Sequence, residues 1–114
     1  MEDRFAQQLK KGVLEMLVLK LICEKPAYGY ELLSELKLSS QGRFSLKEGT
    51  LYPILHGLEA DRLVTVREKE AESGRVRKYY RITKKGLKVL EEKKAEWNTF
   101  TEKVNAVVCG TAPA

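Results

Sequence analysis

Ser45-Leu46-Lys47-Glu48-Gly49-Thr50-Leu51-Tyr52-Pro53-Ile54-Leu55 opens the stretch that decides the fold, and Arg77-Lys78-Tyr79-Tyr80-Arg81-Ile82-Thr83 closes it. Ser45 followed by Glu48 fits a Ser-x-x-Glu capping box, which starts a helix at Leu46. Leu51, Ile54, Leu55 and Leu58 follow at i, i+3, i+4 and i+7, the spacing of one core-facing stripe. Lys47, Thr50, Tyr52 and His56 are then left to face outward or sideways. Pro53 conflicts with a start at Leu46, because it has no N–H to give the Gly49 carbonyl. Either the helix bends at Pro53 or its regular part begins near Thr50.

Two β-prone runs complete the stretch, Leu63–Arg67 and Val76–Ile82, with Glu72-Ser73-Gly74 as the turn. Alternation turns Val76, Lys78, Tyr80 and Ile82 towards the helices and Arg77, Tyr79 and Arg81 outward. From Arg75 to Lys88 the bases are Arg75, Arg77, Lys78, Arg81, Lys84, Lys85 and Lys88, with no acid among them. A solvated face usually mixes signs, as residues 67–72 do. One-signed charge with Tyr79 interleaved fits a hairpin that tracks phosphates. A helix able to enter a groove, followed by such a hairpin, is the outline of a winged helix-turn-helix: mainly α, with a small β-hairpin.

Upstream, residues 5–24 form the first helix, apolar nearly all the way round from Val13 to Ile22. Such a helix must be covered on several sides. After Pro26 a second, shorter helix begins near Tyr28, with Leu32, Leu33 and Leu36 as its buried stripe. Tyr28 and Tyr30 lie at its N-terminus, where free N–H groups and the helix dipole favour a phosphate. One ring is expected to pack and the other to meet a phosphate.

Downstream, Thr83 is a good N-cap for a last helix over residues 84–108. Leu87, Leu90, Trp97, Phe100, Val104, Val107 and Val108 form one broad stripe, longer than so small a domain covers. A second copy paired across a two-fold axis covers it, so a homodimer is expected through Leu90, Trp97, Phe100, Val104 and Val108. The chain then divides into a DNA-binding domain at 1–83, whose first helix shares the dimer interface, a long dimerisation helix at 84–109 and a flexible tail at 110–114.

Composition narrows the function. The 114 residues make one domain, and a net charge of +5 leans towards an acidic partner. The start, Met1-Glu2-Asp3-Arg4, is charged and does not read as a secretory leader. The apolar run 13–22 holds Glu15 and Lys20 and is too short for a bilayer, so no membrane partner is expected. Cys23 and Cys109 fit free thiols in a reducing cytoplasm. His56 is the single histidine, and the chain has no nucleophile–base grouping, phosphate-cradling glycine loop or metal-ligand spacing. No catalytic residue, metal or cofactor is therefore expected, and the chain does not read as an enzyme.

Tyr28-Gly29-Tyr30-Glu31-Leu32, then Gly49-Thr50-Leu51-Tyr52-Pro53-Ile54-Leu55, then Leu58-Glu59, then the run Arg77–Gly86 resemble, in that order, the PadR family of bacterial transcriptional regulators. The likeness runs from about Leu9 to Leu90, and the single C-terminal helix is similar to the family's small members. It implies a dimeric winged-helix repressor that leaves its operator when a small molecule binds. In small multidrug-responsive members a tryptophan of the last helix stacks on flat aromatic drugs at the dimer interface. Trp97 lies in a comparable place, with Phe100 beside it, so a planar aromatic effector and a merely packed core stand level here. Many members carry a glycine after the third helix. This chain has Glu59-Ala60-Asp61-Arg62-Leu63, so Asp61 is expected to take the left-handed turn.

The leading expectation is a sequence-specific reader of double-stranded DNA. Its third helix would lie in the major groove with Lys47, Thr50, Tyr52 and His56 nearest the bases. Arg75, Arg77, Lys78 and Tyr79 of the wing, with Tyr28 and Tyr30, would meet the backbone or minor groove. Two-fold symmetry implies a palindromic operator with half-sites ~34 Å apart. The alternative is a winged helix that serves as a protein-interaction module in a larger assembly, against which the one-signed wing argues.

Overall fold

The computed structural model describes residues 4–110, with side chains from Lys11 onward; the tail expected at 110–114 lies outside the described residues except for Gly110. Four helices and three strands run in the order α1 (Arg4–Glu24), β1 (Ala27–Tyr28), α2 (Gly29–Ser39), α3 (Glu48–Ala60), β2 (Val64–Glu70), β3 (Val76–Ile82) and α4 (Lys84–Val108). The sheet is antiparallel with order β1-β3-β2. The expected winged helix-turn-helix and long C-terminal helix are both present.

The hairpin is not alone in its sheet. Ala27 and Tyr28 add a short strand against Tyr80 and Tyr79. Two residues before a helix carry no periodicity, so pairing of this length leaves no mark in sequence.

One core holds the unit together. Leu14, Val18, Leu19 and Ile22 of α1 meet Leu32 of α2, Leu51, Leu55 and Leu58 of α3, Val64 and Tyr80 of the sheet and Leu90 of α4. Full burial of each such side chain stabilises by about 1.5–3 kcal/mol. Leu90 therefore belongs to the protomer's own interior, at 1% exposure. It has no surface left to pair with a second copy, which corrects the expected dimer contact at this position.

Helix ends depart from expectation in two places. The Ser45 capping box does not form: α3 starts at Glu48, and the Lys47 carbonyl accepts from Thr50 and Leu51 N–H at 2.9 and 3.1 Å. Phe44 and Leu46 pack onto the core and keep the segment before α3 out of the helix. The reciprocal bond appears instead at α2, where the Tyr28 N–H donates to Glu31 Oε1 at 3.2 Å. Pro53 sits within α3 on its exposed side, where water can take the Gly49 carbonyl it leaves free.

The turn after α3 uses Arg62 rather than Asp61. Arg62 has φ +61°, while Asp61 stays at φ −83°. Leu63 N–H donates to Leu58 O and Arg62 N–H to Glu59 O, both at 2.9 Å, the paired bonds of a Schellman end. Burial of Leu63 and Val64 draws the chain into the sheet and imposes the left-handed residue on whatever stands there. Thr83 caps α4 as expected, accepting from Gly86 N–H at 2.9 Å and donating to Arg62 O at 2.8 Å.

Candidate nucleic-acid interface

The wing is built by strand register. Val64 pairs with Ile82, Val66 with Tyr80, Glu68 with Lys78 and Glu70 with Val76, so these share the face turned towards the helices. Thr65, Arg67 and Lys69 pair with Arg81, Tyr79 and Arg77 on the other face. Near the helices the inner face is covered, with Val64 and Tyr80 at 2% exposure. Towards the tip the hairpin overhangs them. Val76 and Lys78, expected to lie on the helices, are exposed for that reason.

At the tip the Ala71 N–H donates to Arg75 O at 2.8 Å and the Gly74 N–H to Ala71 O at 2.9 Å. Gly74 takes φ +82°, which a glycine adopts without steric cost. The turn thereby projects Arg75 into solvent.

Between the overhang and the starts of α2 and α3 lies an open groove of about 540 Å³. Tyr30, Glu48, Tyr52, Arg75, Val76 and Lys78 line it, with Tyr28, Gly29, Arg77 and Tyr80. Two helix N-termini and the wing bases thus converge there, an arrangement that attracts a phosphate. Glu48 is the one carboxylate in the wall.

The two early tyrosines divide their roles. Tyr28 is half-buried, its ring 5.3 Å from that of Tyr79 in an edge contact, with the Arg77 guanidinium 4.4 Å over it. Tyr28 is the packing ring. Tyr30 is 69% exposed and free to meet a ligand. Tyr52 is half-buried and lies against Gly29, where any Cβ would collide with its hydroxyl. Close passage of α3 over α2 therefore needs the glycine. Burial raises the pKa of Tyr80 in the groove floor above 10.0, with Glu59 and Tyr52 adding to the rise.

Lys47, which caps α3, and Thr50 and His56 within it lie outside the groove walls at exposed positions. Gly49, Pro53 and Gly57 are exposed between them, and a Cβ on either glycine would meet open space. The outer side of α3 is therefore smooth, with Lys47, Thr50 and His56 standing out from it. Along the chain Arg67 and Lys69 are hidden by the mixed signs of the run Arg67–Glu72. Alternation of base and acid in β2 was the signal, legible only once its inner face was known.

The family model for the transcriptional regulator PadR-like family matches residues 18–92. The chain belongs to the PadR family. It is a transcriptional regulator of a DNA-binding kind. A PadR-like transcription factor from Bacteroides fragilis is 37% identical, with a TM-score of 0.78 over 93% of this chain and 100% of that one. A PadR-like regulator from Bacillus cereus is 38% identical, with a TM-score of 0.76 over 89% and 96%. The Escherichia coli transcriptional regulator YqjI is 29% identical over 89% of this chain, which spans 47% of YqjI.

A second surface of this PadR protein lies between α1 and α4. Gly12, Val13 and Met16 face Lys93, Glu96, Trp97 and Phe100 across an open cleft of about 420 Å³. Lys93 Nζ bridges to Glu15 at 3.7 Å and ties the two helices together. The Trp97 and Phe100 rings lie 6.2 Å apart and remain 37% and 47% exposed. Val104, Val107 and Val108 continue the exposed stripe to the end of α4. Among the described residues no helix is long and apolar enough to cross a membrane, and no group of His, Cys, Asp and Glu is placed to hold a metal ion.

Proposed function

We propose that the protein is a homodimeric repressor that binds a palindromic operator in the bacterial cytoplasm and leaves it when a planar aromatic molecule binds. The observation that carries the DNA contact is the groove joining the starts of α2 and α3 to the overhanging basic wing. Lys47, Thr50 and His56 meet base edges, with Tyr52 at the rim. Tyr30, Arg75, Arg77 and Lys78 hold phosphates, and Tyr28 and Tyr79 fix Arg77 in place. Base contacts specify the site; phosphate contacts position the protein and make binding salt-dependent.

Pairing is supported by the apolar stripe from Trp97 to Val108, which the protomer leaves uncovered. Residues 1–83 then read DNA and 84–109 pair the copies. Trp97 and Phe100 line an open cleft beside α1, where a flat aromatic ring can stack on the indole. A ligand there binds one spacing of the two wings better than the other, and that difference alone sets how far it shifts the equilibrium.

The test starts from duplexes selected out of a random-sequence pool, compared with a scrambled duplex by fluorescence anisotropy at two salt concentrations. Selection of a two-fold-symmetric sequence with steep salt dependence supports the reading. Ethidium, a planar aromatic probe, should quench Trp97 emission in the protein free of DNA. The release of duplex it causes should be lost in Trp97→Ala, which separates it from intercalation of the probe into the DNA. Equal weak binding to both duplexes rejects sequence-specific regulation and favours the protein-interaction module.

A further inference from the structure

The outer face of the sheet carries charge of one sign. Arg67, Lys69, Arg77 and Arg81 occupy it with Tyr28 and Tyr79, while the acids Glu68 and Glu70 fall on the opposite face. The strand Val64-Thr65-Val66-Arg67-Glu68-Lys69-Glu70 is near neutral by composition, yet its alternation exports every base to one side. Lys69 stands directly opposite Arg77, a like-charge pairing that costs stability in a sheet. On the inner face the corresponding pair is the complementary Glu68 and Lys78. Among the described residues none of the four outer bases has a carboxylate within ion-pair distance, the pairs there being Lys20–Glu24, Lys93–Glu15 and Lys94–Glu91.

Aromatic rings lie beside two of these cations, Arg77 and Lys69. Arg77 lies 4.4 Å above Tyr28, Tyr28 meets Tyr79 edge-on at 5.3 Å, and Lys69 lies 5.8 Å from the Tyr79 ring. The result is a pair of stacked-edge rings with a cation at each end, Arg77 on Tyr28 and Lys69 on Tyr79, across three strands. Ordered cations lose less freedom on binding an anion than solvated ones do. An uncompensated, one-signed face on which Lys69 and Arg77 rest against rings fits a polyanion.

We infer that the outer sheet face, through Arg67 and Lys69, binds backbone phosphates of the DNA flanking each half-site, beyond the bases that α3 reads. This rests on the DNA-binding reading above. It assigns to β2 a role separate from the wing tip: to extend the footprint without adding sequence preference. The like-charge pair is the stability given up for that contact.

The test compares the selected duplex trimmed to its half-sites with the same duplex extended by about one helical turn at each end. For the parent protein, extension should steepen the dependence of log K on log salt. Arg67→Ala with Lys69→Ala should remove about 1.8 from that slope in each protomer on the long duplex, at ~0.9 per phosphate lost. Affinity for the trimmed duplex should stay within about twofold. Lys69→Thr should raise the melting midpoint while it weakens binding to the long duplex, a pairing of signs that a purely structural lysine does not give. An unchanged slope in the double variant on the long duplex overturns the inference, and so does equal weakening on both lengths. If the parent itself shows no salt-dependent, sequence-selective binding, the DNA-binding reading fails first, and on a different measurement.

Discussion

Phe100→Ala separates the pairing of two copies from the folding of one. Phe100 exposes 47% of its surface on α4 and lies outside the buried core. For an aromatic side chain of ~200 Å² that is about 90 Å² open to solvent. Covering it with a partner at about 25 cal/mol per Å² stabilises by about 2 kcal/mol. A two-fold interface counts each ring twice, so the dimer loses about 4 kcal/mol and its dissociation constant rises ~1,000-fold. Sedimentation equilibrium across a concentration series measures that constant, and anisotropy on the selected operator should show weakened DNA binding alongside it. Leu90→Ala is the contrasting variant, because Leu90 is buried at 1% within the protomer. It should lower the stability of the fold itself by ~2–5 kcal/mol. If Phe100→Ala dimerises with a constant within about threefold of the parent's, the stripe on α4 is not the pairing face. A parent chain that sediments as a monomer at micromolar concentration refutes the reasoning outright.

Arg62→Gly relieves a left-handed arginine at φ +61°, worth ~1–2 kcal/mol, against the entropy that glycine adds to the unfolded chain. The urea midpoint should rise by the equivalent of about 0.5–1 kcal/mol; a fall means that the Arg62 side chain makes a compensating contact. Gly86→Ala places a methyl against the Leu63 carbonyl and Ile82, where a strand and a helix start have no room to give. A loss of more than ~2 kcal/mol is expected in thermal melts, and a variant as stable as the parent rules out that close approach. Tyr80 has its pKa raised above 10.0, first by burial, so the folded state holds the phenol proton more tightly than the unfolded chain does. Its contribution is intact below pH 10.0 and is lost as pH rises through the folded value, so Tyr80→Phe should flatten the decline in stability above that pH, measured by urea titration at stepped pH.

Much of this fold is local. The Leu51, Ile54, Leu55 and Leu58 stripe, the Thr83 cap and the length of α4 depend on residues three or four apart, so they can be read along the chain. So can the one-signed run from Arg75 to Lys88 and the family motifs. What resisted reading depends on partners distant in sequence. Ser45 and Glu48 have the spacing of a capping box, but the packing of Phe44 and Leu46 on the core moved the helix start to Glu48. Leu90 and Phe100 lie on one periodic stripe, yet only the meeting of α4 with α1 decides that the first is buried and the second is open. Arg67 and Lys69 are separated from Glu68 and Glu70 by strand register alone. A strand's period of two sends neighbours to opposite faces, and which face is covered is settled by what packs beneath it. Spacing along the chain is enough for a winged helix with a basic hairpin; the packing beneath the sheet settles which of its charges face the same way.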